Sequence, residues 1–445
     1  MDKADLGFAF GLPPEEAIRY FEGLGYSIKN DWSGTWQRAQ AQAFSVANIY
    51  RQDVTAELYE SLQAALKNGQ SFATWQQQVQ QRFDARSWAH QDGQVVDKAT
   101  GEVLAKRLTP ARLQTVYRTN MQSAMMAGRW SQLYDNKDAR PYLQYVAVMD
   151  MKTRPSHAAL HGSVYAIDDP FWGSFYPPNG FNCRCTVMAL GERDIKRKDL
   201  VVQSSGDKIE DVQLITNKQG KTVDSKAITL PSGQRFTADA GFAGNVGQQH
   251  LAKLGQLQLQ RAVELPPRLA SMAVGESLKN PQVLKAVTAQ MTEFAEAVFS
   301  SKQARGKMMH VGALPLKVLD ELAKRQVLPQ SAVISITDDR LLHAIRDHKQ
   351  MPLPQDFWGR LPEHLLQPDA VLLDRNKGNA AVIMVFKQAK SKNKLVLTVD
   401  YKIGTRDLRG KKTTVVSNVI NTGVELTEES QVIGLRSYET LFWEL

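Results

Sequence analysis

The densest collection of reactive side chains lies between Asp150 and Cys185. Asp150-Met151-Lys152-Thr153-Arg154-Pro155-Ser156-His157 leads into His161-Gly162, then Asp169-Pro170-Phe171-Trp172 and Tyr176-Pro177-Pro178-Asn179-Gly180-Phe181-Asn182-Cys183-Arg184-Cys185. Pro155 suits the first turn of a short helix that Gly162 would end, which puts His157 and His161, four residues apart, on one face. His157, His161, Cys183 and Cys185 then add up to the two imidazoles and two thiols of a tetrahedral structural zinc site, although Cys-x-Cys is a tighter spacing than most such sites use. Two other uses fit the same residues. One is a loop pinned by hydrogen bonds and packed aromatics, with the thiols as small buried hydrophobes. The other is a Cys–His pair in which a histidine lowers a thiol pKa. The chain has only these two cysteines, one residue apart, where a strained disulfide is the least suitable use.

A second concentration of chemistry lies near the C-terminus. Residues 387–412 hold nine basic side chains against Asp400 and Asp407, a net +7, whereas residues 413–445 carry net −4. Cations gathered on hairpin turns attract a phosphate backbone. Upstream, Asp338-Asp339 can start a helix with Leu341, Leu342 and Ile345 on one side. His343, Arg346, Asp347 and Gln350 lie opposite, with His348 nearer the boundary. If the apolar side packs on a sheet, His348 reaches the rim of a basic groove, and His343 needs a cleft on the outer face.

These groups must be positioned by a multidomain scaffold, since 445 residues supply two to four domains. The expected architecture is a mainly α N-terminal domain (1–195) with a motif-rich loop region. A linker of short hairpins and helices (196–304) leads to an α+β domain (305–445) with an antiparallel sheet. Helices are expected at about 12–22, 35–48, 54–67, from 72 through Phe83, and at 112–133, from proline and acid starts, Ser71 as a cap and apolar spacing. Tyr142–Asp150 alternates like a strand. Ala370–Leu373, Ala380–Phe386, Lys394–Tyr401 and Thr413–Ile420 are further strands whose short connections impose antiparallel pairing. The composition, 43% hydrophobic and 23% charged, is that of an ordinary soluble protein, and the +9 net charge leans mildly toward anionic partners. The longest apolar run, Ala380–Phe386, is too short to span a bilayer, so no membrane insertion is expected. The opening Met1-Asp2-Lys3-Ala4-Asp5 lacks a secretory start, which points to the cytoplasm. No Walker A loop, G-x-S-x-G or His-Glu-x-x-His occurs in the sequence.

The motif from Asp150 to Cys185 resembles the signature of Mu F-like phage minor head (head morphogenesis) proteins. Gly11-Leu12-Pro13-Pro14-Glu15, Ala43-Phe44-Ser45-Val46-Ala47 and Tyr117-Arg118-Thr119-Asn120 are similar to other parts of that family. Gly241-Phe242-Ala243-Gly244-Asn245-Val246-Gly247 resembles its later Gly-Phe-x-x-Asn-Pro-Gly segment without the proline. The resemblance implies a minor capsid protein needed for capsid assembly. Its partners would be the phage portal and capsid or scaffold proteins, and its places the virion head interior and, during assembly, the host cytoplasm. Residues 311–347 and the last strands resemble the phage-associated branch of the barnase–EndoU–colicin–RelE nuclease fold. That resemblance implies metal-independent RNA cleavage, with His343 or His348 moving protons and Lys402, Arg406 or Arg409 clamping phosphate. Packaged DNA or host RNA would be the ligand. On this reading the competing role is a virion-delivered ribonuclease effector whose N-terminal part only loads it into the capsid. A DNA-binding factor without catalysis is a third.

Overall fold

A computed structural model describes residues 46–216, 220, 222–345, 352–375, 380–388, 391–406, 412–427 and 434–444, together with Ala17, Tyr20 and Phe44. The helices expected before residue 50, and the turn after Arg375, fall almost wholly outside these residues. The chain forms two compact units, residues 1–250 and 251–445.

In the first unit, helix α1 (Gln52–Lys67) buries Val54, Leu58, Leu62 and Ala65, a stripe at three- and four-residue spacing. Helix α2 (Phe72–Ala85) is capped by Ser71, whose side chain accepts from the Thr74 N–H at 3.2 Å. The Trp75 indole donates to Ser61 Oγ at 2.9 Å inside this core, a bond that stabilises by about 1 kcal/mol. The long helix α3 (Pro110–Asp135) starts with a proline behind the cap Thr109.

Strands fill the intervals between these helices. β1 (Trp88–Gln91), β2 (Gln94–Asp97) and β3 (Val103–Ala105) form a small antiparallel sheet that the helical reading of this stretch left out. Its first turn is Asp92-Gly93, with φ of 51° and 74°, the left-handed pair that a two-residue hairpin demands. A four-stranded sheet follows: β4 (Tyr142–Val146) lies between antiparallel β5 (Val164–Ala166) and β6 (Thr186–Leu190), and β7 (Val202–Gln203) pairs parallel with β5. Helices α4 (Pro155–Ala159) and α5 (Pro170–Phe175) occupy the connections around β5, and α6 (Glu192–Arg197) follows β6. The stretch expected as hairpins is an antiparallel sheet of β8 (Ile209–Ile215), β9 (Thr222–Thr229) and β10 (Arg235–Thr237). Helix α7 (Val246–Ala262) crosses the residue at which the two units divide.

The second unit is built on a seven-stranded sheet. Its strands are β11 (Met308–Ala313), β12 (Val333–Thr337), β13 (Ala370–Asp374), β14 (Ala381–Lys387), β15 (Lys392–Arg406), β16 (Lys412–Leu426) and β17 (Glu439–Trp443), in the order β11-β12-β16-β15-β14-β13-β17. The four expected strands are present and pair antiparallel. The sheet as a whole is mixed rather than antiparallel, because β12 runs parallel to β16 at Ile334↔Asn418 and Ser335↔Val419. The chain between them carries short helices and the strands β13–β15, ample for the long connection that parallel neighbours require.

One face of the sheet (Val371, Leu373, Val382, Met384, Leu395, Leu397) packs into the main core, and Ala370, Leu372, Ile383 and Val385 pack into a smaller cluster on the other. Helices α8 (Pro267–Lys279), α9 (Pro281–Ser301) and α10 (Leu316–Lys324) contribute to the main core, as do the short helices α11 (Asp338–Ala344), α12 (Gln355–Gly359) and α13 (Leu361–His364). β15 and β16 outrun their neighbours: β14 pairs with 392–398, while among the described residues Lys402–Arg406 pairs only with 412–416. That extension projects for roughly 17 Å.

Candidate functional site

The motif residues converge around β4. Asp150 begins a turn in which its Oδ1 accepts from the Lys152 N–H at 3.0 Å, and Thr153 N–H returns to its carbonyl at 3.1 Å. Arg154 precedes α4, which carries His157 into the interior. From the other side the chain arrives at β6 through Cys183-Arg184-Cys185, and the alternation of an extended segment sorts these three. Both thiols point inward and are buried, while Arg184 points out and grips Asp150 with both guanidinium nitrogens, Nη1 to Oδ2 at 2.7 Å. The Arg184 hydrogen bonds hold the Asp150 carboxyl well below the usual carboxylate range.

Inside, Cys183 Sγ and Cys185 Sγ each lie 3.6 Å from His157 Nδ1. The His157 ring meets Phe236 of β10 edge-on, with centroids 5.8 Å apart. Tyr145, fully buried on β4, accepts from Asn179 Nδ2 at 3.0 Å, and burial raises its phenol pKa far above the ordinary value. The Cys185 thiol donates to Cys183, which lowers the Cys183 pKa and raises that of Cys185. Arg154 spans the motif by donating to Asp239 Oδ2 at 2.6 Å and to the Phe181 carbonyl at 2.7 Å. Its Nη1 stands 3.4 Å from His157 Nε2. Gly180 is required here, because a Cβ would collide with the Asp239 carboxylate and the Arg154 guanidinium.

His161 does not join this cluster. Helix α4 ends at Ala159, two residues short of His161, so the i,i+4 pair does not share a helical face, and His161 is exposed with its Nδ1 accepting from the Ala147 N–H at 3.2 Å. Three of the four expected metal ligands therefore meet. An aromatic wall backs the site: Tyr165 stacks on Phe171 at 4.0 Å, Phe171 meets Trp172 edge-on at 4.9 Å, and the Tyr176 hydroxyl donates to the Met126 carbonyl. The later glycine-rich segment docks on it too. Phe242 packs edge-on against Phe181, and Asn245 donates to the Trp172 carbonyl while its Oδ1 accepts the Gly247 N–H.

The chain has relatives. Residues 56–188 match the family model described as Phage Mu protein F like protein. The chain is 29% identical over 420 residues to a capsid assembly protein F of Escherichia phage Mu, an alignment covering 93% of each chain. It is 28% identical over 377 residues to the Mu-like prophage FluMu F protein of Haemophilus influenzae, covering 81% of this chain and 87% of that one. No solved structure matches. The matched residues 56–188 contain the whole constellation from Asp150 to Cys185.

The C-terminal candidates are less gathered. His343 lies exposed on α11 and Lys402 exposed on β15. α11 packs on β16, and Arg340 of α11 sits 5.9 Å from the Tyr401 ring centroid, so the helix bearing His343 flanks the strand bearing Lys402. Arg406 belongs to β15 and pairs with Lys412, but its side chain, His348 and Arg409 lie outside the described residues. The sequence reading missed His310, buried on β11 and bonded at 2.8 Å to Ser335 Oγ, which meets Ser417 Oγ at 2.6 Å. It missed Tyr145 and Asp239 as well. Asp239 is 85 residues from Arg154 and carries no local signal, whereas Tyr145 follows from the alternation of β4.

Proposed function

We propose that this protein is a minor head protein that takes part in assembling the phage prohead in the host cytoplasm and is packaged in the virion head. The observation that carries this reading is the extent of the likeness: 93% of the chain aligns with 93% of a relative described as a capsid assembly protein. The alternatives of a small catalytic module or an isolated binding domain would need only a local match. Its docking partners are the portal and the capsid or scaffold proteins, met by a rigid, hydrogen-bonded motif rather than by an apolar span; no described helix is long and apolar enough to cross a membrane. Deleting the coding sequence should abolish infectious particles and leave defective heads. Mass spectrometry of purified proheads and virions should find the chain at low copy. Its absence from both would end the proposal.

One contact favours a second role for the same chain. The Arg340–Tyr401 cation–π contact sets α11 and its His343 beside the cationic β15 strand, as a ribonuclease-like effector domain needs. On this reading the purified chain cleaves RNA without added metal, and His343→Ala/His348→Ala slows cleavage by about 100-fold or more. Truncation after Gly247 separates the two roles. Normal heads that have lost host toxicity support an effector, whereas failed assembly gives the C-terminal unit a structural part.

A further inference from the structure

We infer that His157, Cys183 and Cys185 hold one zinc ion, which staples α4 to the segment entering β6. With Zn–S near 2.3 Å and Zn–N near 2.0–2.1 Å, a tetrahedral centre sets sulfur and nitrogen about 3.6 Å apart. Both sulfurs lie 3.6 Å from His157 Nδ1, and all three ligand atoms fall within 4.8 Å of one another. The sulfurs are not joined to each other, and the three residues are only 4%, 8% and 2% exposed.

The surroundings supply what a zinc thiolate needs. The Asn179 N–H is directed at Cys183 and the Tyr145 hydroxyl at Cys185, donors that favour charged sulfur. Among the described residues this is the one group of three or more potential metal ligands so placed. A soft set of two thiolates and one imidazole selects zinc over magnesium or calcium, which prefer oxygen. His161, engaged by the Ala147 N–H, stands outside this ligand set.

A metal-free arrangement would use the same atoms differently. His157 Nε2 would accept from Arg154 and Nδ1–H would donate to a thiolate. The Arg154 contact, at 3.4 Å, is long for a charge-assisted bond, and that guanidinium nitrogen already serves Asp239 at 2.6 Å. So long a contact does not fix the ring's tautomer, which leaves Nδ1 available as a ligand.

Metal analysis of the full chain, purified without chelator from zinc-supplemented cells, tests this directly and independently of any role in the head. About one zinc per chain is expected, with thiols that react with a disulfide reagent only after chelation. Replacement by cobalt should give thiolate-to-cobalt charge-transfer and tetrahedral ligand-field absorption. Cys183→Ser/Cys185→Ser should drop zinc to about a tenth or less, and His161→Ala should keep it. Zinc-free protein would overturn the proposal, whatever the thiol reactivity and even if the cysteine variant fails to fold. Full zinc in that variant, or loss of zinc from His161→Ala, would overturn this ligand set.

Discussion

The motif region of the first unit and the seven-stranded sheet of the second reach one structure by different means. Around β4 the chain is held by directional bonds whose partners are specific residue types: the Arg184 fork on Asp150, Arg154 between Asp239 and the Phe181 carbonyl, Asn179 between Tyr145 and the Phe175 carbonyl. In the sheet, β13 and β14 are buried on both faces by Val, Leu, Ile, Ala and Met, and their positions ask for apolar volume and alternation. A region specified by bond geometry leaves a readable motif, and one specified by volume leaves only a pattern. The family model that matches residues 56–188 covers this motif and none of the sheet.

Four experiments would break or sharpen this contrast. Phe171→Ala removes the ring stacked on Tyr165 in a fully buried site and should cost about 3–5 kcal/mol in urea denaturation. A loss under about 1 kcal/mol would mean the aromatic wall is not a core at all.

The sheet has a directional exception in His310, and pH should expose it. Burial holds its pKa at about 4 against an ordinary 6.5, so the folded state excludes a proton that the unfolded chain accepts. Its stabilisation is whole above pH 6.5, is lost as the pH falls from 6.5 to 4, and amounts to about 3 kcal/mol. Denaturation across that window should show the slope, and His310→Asn should flatten it.

Conservative swaps test the contrast itself. Arg154→Lys keeps the charge but loses the fork and should cost about 1–3 kcal/mol. Leu372→Met, also isosteric in spirit, should cost less than about 1.5 kcal/mol. Equal losses would erase the distinction. The smallest effect is expected for Ser71→Ala, about 1 kcal/mol from the lost cap of α2, read as a shift in the denaturation midpoint.

Legibility in the sequence followed the same division. α1, α2, α3 and α11, and the four strands from Ala370 onward, were readable because apolar spacing and caps are local. The β1–β2 hairpin carried its signal in Asp92-Gly93, but strands of four residues offer too little alternation to compete with the helical stretches around them. β12, Val-Ile-Ser-Ile-Thr, is too short to set its period apart from that of a buried piece of helix, and its parallel partner β16 is some 80 residues away. At the site, types and spacing located His157 and the two thiols. His161 was misplaced because the spacing argument assumed a helix continuing to Gly162, whereas α4 stops at Ala159.

The outer part of the β15–β16 hairpin has a cost of its own. Among the described residues, Lys402–Arg406 and 412–416 have only each other as strand neighbours, so each presents an unpaired edge on which an extended chain could pair. The positive charge crowded into this part of the sequence opposes the pairing of two such ribbons. The same charge that invites an anionic partner thus also guards against self-association, and stripping it to disarm the first effect would bring on clumping.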